Sequence, residues 1–436
     1  MTPAANAGGT GNALVSGARG RWAIWGVPAF MFLIAFFHRV APGVLAPDLM
    51  RAFGATGTIV GLLSATYFYP YAALMIPAGV LVDSFGPRRV VTTGSALMGA
   101  GTIAMAAART PATLFGGRFA VGLGASVIFV SALKLAATWF PPWQFGTLSA
   151  LTATAGVLGA LAATAPLAAL AARLTWRGAF WVVGLVTLAC SALCWLVVRD
   201  RPGTATVGLE AGPAFRSVVR GAVLVLRNRH TWPPFLTSLC LYSASGNLML
   251  WVVPFLRDVY GLSTQTAAIY ATSNALALLV SAPLTGFLSD RVWRRRKAPY
   301  VGLTCCSVVT WGALLATLGS LPLAGLYALF FLMGLVGGAF VLTWPIGREV
   351  NPPHLAGVAV AVVNLGGFVG AALTQGPVGA VLDAGWTGRL VAGARAYPVT
   401  AYRAAFGVCA LFVLAAAITA LFVRETYARN VHANPD

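Results

Sequence analysis

Acidic residues are the scarcest feature of this chain. Only 10 of its 436 residues are Asp or Glu against 29 Lys and Arg, and charged residues of both signs make up 9%. A soluble domain carries about a quarter charged residues, so a water-soluble fold is excluded. Cysteine is also sparse: Cys190, Cys194, Cys240, Cys305, Cys306 and Cys409 all fall inside apolar runs, where thiols behave as small apolar side chains. With four histidines and no ligand-like spacing, neither a disulfide framework nor a metal site is indicated, and no cofactor is expected. The first 20 residues are small and polar with no apolar centre, so no cleavable leader is expected and the first apolar run is read as its own insertion signal.

What the chain has instead is 58% hydrophobic residues in successive apolar stretches of about 20, long enough to cross a bilayer. Twelve spans are expected, at Trp22–Ala46, Thr56–Val82, Val90–Ala107, Pro111–Thr138, Gly146–Ala171, Gly178–Val198, Trp232–Leu256, Thr266–Leu288, Tyr300–Leu318, Leu323–Pro345, Leu355–Val381 and Tyr402–Val423. The net charge of +19 does not imply nucleic acid, because the arginines lie between apolar runs, where they set orientation. With the N-terminus inside, 18 cationic residues fall on the cytoplasmic face and 8 on the outer one, so both termini are read as cytoplasmic. The expected organisation is a tail (1–21), a six-helix bundle (22–198), a cytoplasmic linker rich in Arg, Gly and Pro (199–231), a second six-helix bundle (232–423) and a second tail (424–436), all in the inner membrane.

A charged motif occurs twice. Gly79-Val-Leu-Val-Asp83-Ser-Phe-Gly86-Pro-Arg88-Arg89 follows the second span, and Gly286-Phe-Leu-Ser-Asp290-Arg291-Val-Trp-Arg294-Arg295 follows the eighth, 207 positions later. A second mark repeats at nearly the same offset: Pro141-Pro142 opens the fifth span and Pro352-Pro353 the eleventh. Proline in a first helical turn loses no hydrogen bond, and the positive end of such a helix stabilises an anion. Asp83 is therefore expected against the start of the eleventh span and Asp290 against that of the fifth, two reciprocal contacts that latch the cytoplasmic side shut.

Six plus six spans, a central linker and Gly-x-x-x-Asp followed by Arg-Arg after spans two and eight resemble the major facilitator superfamily of secondary transporters. Arg118-Phe-Ala-Val-Gly122-Leu-Gly124 in span four is also similar to that family; its glycines permit close helix contact, and Arg118 is read as packing or gating. Ser84 and Trp293 depart from the pattern. The resemblance implies that spans one, four, seven and ten line a central cavity, so that Arg39 and Lys134 face it. A charge at the membrane centre costs roughly 2.5–3.5 kcal/mol, which marks both as functional.

All ten carboxylates lie in loops, tails or span ends. A cavity with cations and no buried carboxylate selects anions, and Arg39 is the candidate bidentate clamp on a carboxylate or phosphate. His38, Tyr67, Tyr71, Asn247, Asn274, Trp344 and Asn364 complete the candidate substrate site; a buried amide needs partners. His38 is the only intramembrane group titrating near neutrality, so proton coupling stays open beside transport driven by the anion gradient alone. Phe37-His-Arg-Val-Ala-Pro42 with Tyr67-Phe-Tyr-Pro-Tyr71 is similar to organic-anion symporters and to phagosomal and lysosomal amino-acid or dipeptide transporters, which keeps zwitterions open as cargo. The expectation is thus a monomeric alternating-access carrier of a small carboxylate-bearing metabolite, not an enzyme. A drug/proton antiporter, a polytopic enzyme and a sensor are the competing classes; a sensor would be expected to append a soluble output domain.

Overall fold

The computed structural model describes residues 18–201 and 215–432. Most of the first tail, the middle of the linker, Glu210 and Asp436 lie outside the described residues. The rest is almost wholly helical: α1 (Ala18–Phe53), α2 (Gly57–Leu74), α3 (Pro77–Phe85), α4 (Pro87–Ala106), α5 (Pro111–Ala125), α6 (Ile128–Trp139), α7 (Phe145–Ala162), α8 (Ala165–Val197), α9 (Phe215–Arg227), α10 (Trp232–Tyr260), α11 (Thr264–Phe287), α12 (Lys297–Ala316), α13 (Leu323–Val336), α14 (Thr343–Glu349), α15 (Ala356–Ala384) and α16 (Val399–Leu421). Among the described residues ten helices are long and apolar enough to cross a membrane, or eleven if α2 and α3, bent by 63°, form one span. The protein is a multi-pass helical membrane protein.

Several expected spans are interrupted. The second breaks at Met75-Ile76, because Pro77 at the start of α3 has no N–H to continue the ladder of α2. The fourth breaks between α5 and α6, and the tenth passes through a 3-10 turn at Gly337–Leu342 before α14. The fifth span is interrupted at Ala163-Thr164, where α7 gives way to α8, and the turn into the sixth is Thr175 inside α8, at φ 66 and ψ 166, within the interval expected between Ala171 and Gly178. The second proline of each Pro-Pro pair opens a short 3-10 turn, Pro142–Gln144 and Pro353–Leu355, so the helices proper begin at Phe145 and Ala356. A two-stranded hairpin, Leu390–Val391 with Ala394–Arg395, joins α15 to α16. The linker contains the amphipathic helix α9, which composition alone did not reveal.

Glycine sets how closely the helices cross. A Cβ on Gly122 would run into the backbone of Tyr67, and one on Gly124 into the carbonyl of Gly94, so α5 lies against α2 and α4 at backbone distance. Gly57 and Gly61 on α2 meet Gly379 and Gln375 on α15 in the same way. At one end of the molecule Glu425 caps α12. Its carboxylate accepts from the backbone N–H groups of Arg296 at 2.8 Å, Lys297 at 3.1 Å, Thr426 at 3.0 Å and Tyr427 at 3.1 Å. Burial pushes this carboxyl up, but the four N–H groups outweigh it and hold it below the usual carboxylate range.

Two predictions follow from this packing. Gly122→Ala lowers stability by about 1–3 kcal/mol, since Tyr67 backbone must move, whereas Gly116→Ala, where nothing lies within 4 Å of the new Cβ, is neutral or stabilising; thermal melts in detergent compare them. For Glu425, a depressed folded pKa means that its stabilisation is complete above the unfolded value of about 4.3 and vanishes as pH falls through the folded one. The melting-temperature gap between the parent and Glu425→Gln is therefore constant from pH 7 to about pH 5 and closes at lower pH.

Candidate functional site

Arg39 lies on α1 where the two halves of the chain face each other. Its guanidinium carbon is 4.0 Å from the ring centre of Phe36, 4.7 Å from Tyr71, 4.7 Å from Phe368 and 5.8 Å from Tyr67. Phe36 is one turn away on the same helix, Tyr67 and Tyr71 come from α2, and Phe368 comes from α15 in the other half. Tyr71 stacks on Phe368 at 4.6 Å and on Tyr67 at 5.7 Å, and Tyr242 of α10 extends the wall at 5.7 Å from Phe368. Among the described residues none of the six ion pairs involves Arg39, and its Nε is buried without a hydrogen-bond partner. A guanidinium covered by rings, with the neutral Tyr67 and Tyr71 hydroxyls beside it and no carboxylate partner among the described residues, is suited to one planar, bidentate anion.

The other candidate residues divide. Tyr67 and Tyr71 belong to the cage, and Tyr67 is also anchored by its hydroxyl, which donates to the Ala35 carbonyl at 3.1 Å. Trp344 donates to Asn364 Oδ1 at 3.1 Å, and Asn364 reaches Met75 Sδ at 3.8 Å, at the break between α2 and α3. These two therefore also bridge the halves. His38 does not join Arg39: successive helical residues diverge by about 100°, and its ring is fully buried against Phe180, 3.1 Å from Thr102 Oγ1. Asn247 and Asn274 are braces within the second half. Asn247 donates to Ser243 O at 2.8 Å and Thr374 Oγ1 at 3.0 Å, and Asn274 to Phe330 O at 3.1 Å. Lys134 is paired with Asp83 at 2.8 Å on a half-exposed surface, which removes it from the cage. Arg118 is wholly buried; Nη1 donates to the His38 carbonyl at 2.5 Å, and the guanidinium carbon is 4.9 Å from the ring centre of Tyr67. Its Nε and Nη2 have no partner.

The twin motif is not engaged across the halves in this conformation. Asp83 pairs with Lys134 of its own half, and Asp290 with Arg296 of its own, which also holds Glu349 through Nη2 at 2.8 Å and Nε at 3.1 Å. Burial pulls Arg296 down, but Glu349 and Asp290 outweigh it and raise its pKa. Arg88 donates its backbone N–H to Asp200 at 2.7 Å and its side chain to the Trp195 carbonyl, and Gly86 turns at φ 80. Arg89, Arg291, Arg294 and Arg295 are exposed, and nothing lies within 4 Å of a Cβ at Gly79 or Gly286. The reason is geometric: the halves close at the opposite end. There Asp383, at the end of α15, accepts from the N–H groups of Gly57 and Thr58 at 2.8 Å each and from Thr58 Oγ1 at 2.6 Å. Tyr397 donates to the same carboxylate at 2.7 Å, and Thr164 and Thr272 hydroxyls meet at 2.9 Å. A carboxylate on the N-terminus of α2 satisfies donors that have no partner within the helix, and the Gly57 N–H is shared with the Tyr397 hydroxyl at 2.8 Å.

Sequence reasoning missed Phe368, Phe36, Tyr242, Arg296 and Asp383. No local pattern separates cage aromatics from packing ones. Thr56-Gly-Thr58 did mark a helix start that wants an acceptor, since Thr56 caps α2 through Ile59 N.

The family described as Major Facilitator Superfamily matches residues 29–375, and the chain belongs to it. It is similar to the probable sulfoacetate transporter SauU of Cupriavidus necator, 26% identical over 284 residues, 63% of this chain and 66% of that protein. It is also similar to the membrane sensor protein UhpC of Salmonella typhimurium, 26% identical over 398 residues, 84% of this chain and 85% of that one. A protein named as a sensor thus matches along most of its own length, so the expectation that a sensor would carry an appended output domain does not separate the two classes. Among solved structures, a bacterial homologue of the human lysosomal transporter Spinster, in an inward-facing and occupied conformation, superposes with a TM-score of 0.78 at 18% identity, covering 93% of this chain and 97% of that one.

If Asp383 holds the halves together, Asp383→Asn weakens a set of charge-assisted bonds worth about 1.5–3 kcal/mol each. Labelling of a cysteine placed at Val44, which is 1% exposed on α1, then rises at least several-fold in the Asp383→Asn background. Unchanged labelling would show that the contact does not control access.

Proposed function

We propose that the protein is a secondary carrier of a small organic anion bearing a carboxylate or sulfonate, working by alternating access in the inner membrane. The observation that carries this reading is Arg39: a membrane-embedded guanidinium, walled by aromatic rings from both halves, with no carboxylate partner among the described residues. Such a cation is stabilised when an anion arrives, and a cationic ligand would leave two unpaired charges. Relatedness to a probable sulfoacetate transporter supports the anionic class. Zwitterions fit if an amine finds carbonyl or amide oxygens, and the buried Oδ1 of Asn247 and Oε1 of Gln375 lack partners.

In this reading the chain crosses the membrane twelve times, with α2 and α3 one span, the turn at Thr175 separating two, and the 20-residue helix α4 the third. The bundles are 22–198 and 232–423, and the Asp83 and Asp290 end is cytoplasmic. The conformation is then inward-open, sealed outside by Asp383 on α2. Asp83 and Asp290 close the cytoplasmic side in the opposite state by exchanging Lys134 and Arg296 for the helix starts at Ala356 and Phe145. Proton coupling through His38 needs a water path to a ring now sealed by Thr102 and Phe180, which favours transport driven by the anion gradient.

Proteoliposome uptake and counterflow of labelled sulfoacetate, mono- and dicarboxylates and amino acids test the proposal. Saturable uptake of at least one anion is expected, with KM raised about 10- to 100-fold in Arg39→Ala, the equivalent of one lost charged hydrogen-bond pair. Arg39→Lys restores little of it, because an ammonium cannot make the bidentate contact. Undiminished uptake in Arg39→Ala sinks the clamp, and ligand-induced thermal stabilisation without any flux favours a sensor.

A further inference from the structure

Helix α9 presents three separate faces. At 100° per residue, Gly221, Ala222 and Val225 share one side, buried against Leu355 just before α15, Val358, Ala359 and Val362 of α15, and Ile76 at the α2 and α3 break. Phe215, Val219, Val223 and Leu226 form a second, exposed apolar stripe. Arg216, Arg220 and Arg227 form a third, within about 40° of one another, and none of them is in an ion pair among the described residues.

The helix is fixed at a definite level. Trp232, the first residue of α10, donates its Nε1 to the carbonyl of Leu226 at 2.9 Å and leaves its ring 43% exposed. Indole rings at the ends of membrane helices sit in the headgroup layer, so α9 lies where α10 enters the bilayer. An apolar stripe flanked by a cationic one on a helix at this level has the pattern of an interfacial helix.

We propose that α9 is a binding surface for anionic phospholipid, with Phe215, Val219, Val223 and Leu226 in the acyl boundary and Arg216, Arg220 and Arg227 on the lipid phosphates. A soluble acidic partner would satisfy the arginines but not the apolar stripe beside them. The surface is independent of what the carrier moves. Because the buried face of Gly221, Ala222 and Val225 grips α15 beside its start at Ala356, lipid bound here holds the segment that must move if the halves rock.

The full chain in nanodiscs of phosphatidylcholine with a minority of phosphatidylglycerol provides the test, since both leaflets then have one composition and the membrane orientation is immaterial. Native mass spectrometry counts retained lipid. The parent is expected to retain phosphatidylglycerol in preference to phosphatidylcholine, and R216Q/R220Q/R227Q to lose affinity on the order of 100-fold for three interfacial arginines, while R216K/R220K/R227K keeps most of it. V219Q/V223Q should weaken retention without changing its charge preference. Equal retention by the parent and the glutamine variant overturns the proposal, as does displacement of the lipid by millimolar inorganic phosphate. Should the glutamine variant fail to fold, the parent's preference for phosphatidylglycerol must fall steeply with added salt; a salt-insensitive preference overturns it equally.

Discussion

A positive charge kept in a low-dielectric interior with no negative partner among the described residues is the constraint around which this molecule is arranged. Arg39 has lost most of its water, and cation–π contacts, each about 0.5–2 kcal/mol, offset only part of that loss. Among the described residues no carboxylate meets what remains unbalanced. Tyr67 makes the situation more pointed, because it lies within 5.8 Å of the Arg39 guanidinium and 4.9 Å of the Arg118 one, so a single ring is shared by a partly buried cation and a wholly buried one. Arg118 spends one of its donors on the His38 carbonyl, a backbone group that cannot neutralise it. The first half of the chain is therefore strongly electropositive in its interior, and packing alone gives no reason for it to be so.

The two ends of the molecule treat their aspartates differently. Asp383 accepts hydrogen bonds from the other half, and breaking that set forfeits several charge-assisted bonds. Asp83 is held by a half-exposed lysine, a pair worth about 0–1 kcal/mol. Asp290 is bound more firmly, by an arginine that is itself buried on Glu349. On the alternating-access reading, the first latch can exchange partners at little cost while the second must first dismantle a network. The similar sequence marks thus conceal unequal switches, and the difference comes from Arg296, which is buried on Glu349 whereas Arg89, its counterpart 207 positions earlier, is exposed.

The fold was legible because the bilayer requires long apolar runs and because Pro-Pro pairs and Gly-x-x-x-Asp recur at a fixed offset. Interruptions were less so: Pro77 explains one break, but Thr175 adopts a left-handed φ that its type does not announce. At the site, charge alone was enough to find Arg39, and a four-residue spacing put Tyr67 and Tyr71 on one face with it. Adjacency in sequence misled for His38, because neighbours on a helix point apart. Asp383 was read as a loop charge, since its partner Thr58 is 325 positions away and no short-range signal spans that distance. Helix α9 was hidden in a linker whose arginines mask its apolar stripes in any average of composition.

The cage also divides labour between affinity and coupling. A ligand shifts a conformational equilibrium only by the difference in its affinity for the two states. Arg39, Phe36, Tyr67 and Tyr71 all belong to the first half, so on the rocking motion proposed above their mutual distances stay nearly constant and their contribution to anion binding is the same in both states. Phe368 belongs to the second half and stacks on Tyr71 at 4.6 Å only while the halves meet as they do here. The Trp344 and Asn364 pair, touching Met75 across the same boundary, has the same character. On that proposal the guanidinium determines how tightly an anion is held, and the residues contributed by the other half determine which way the carrier turns when it is.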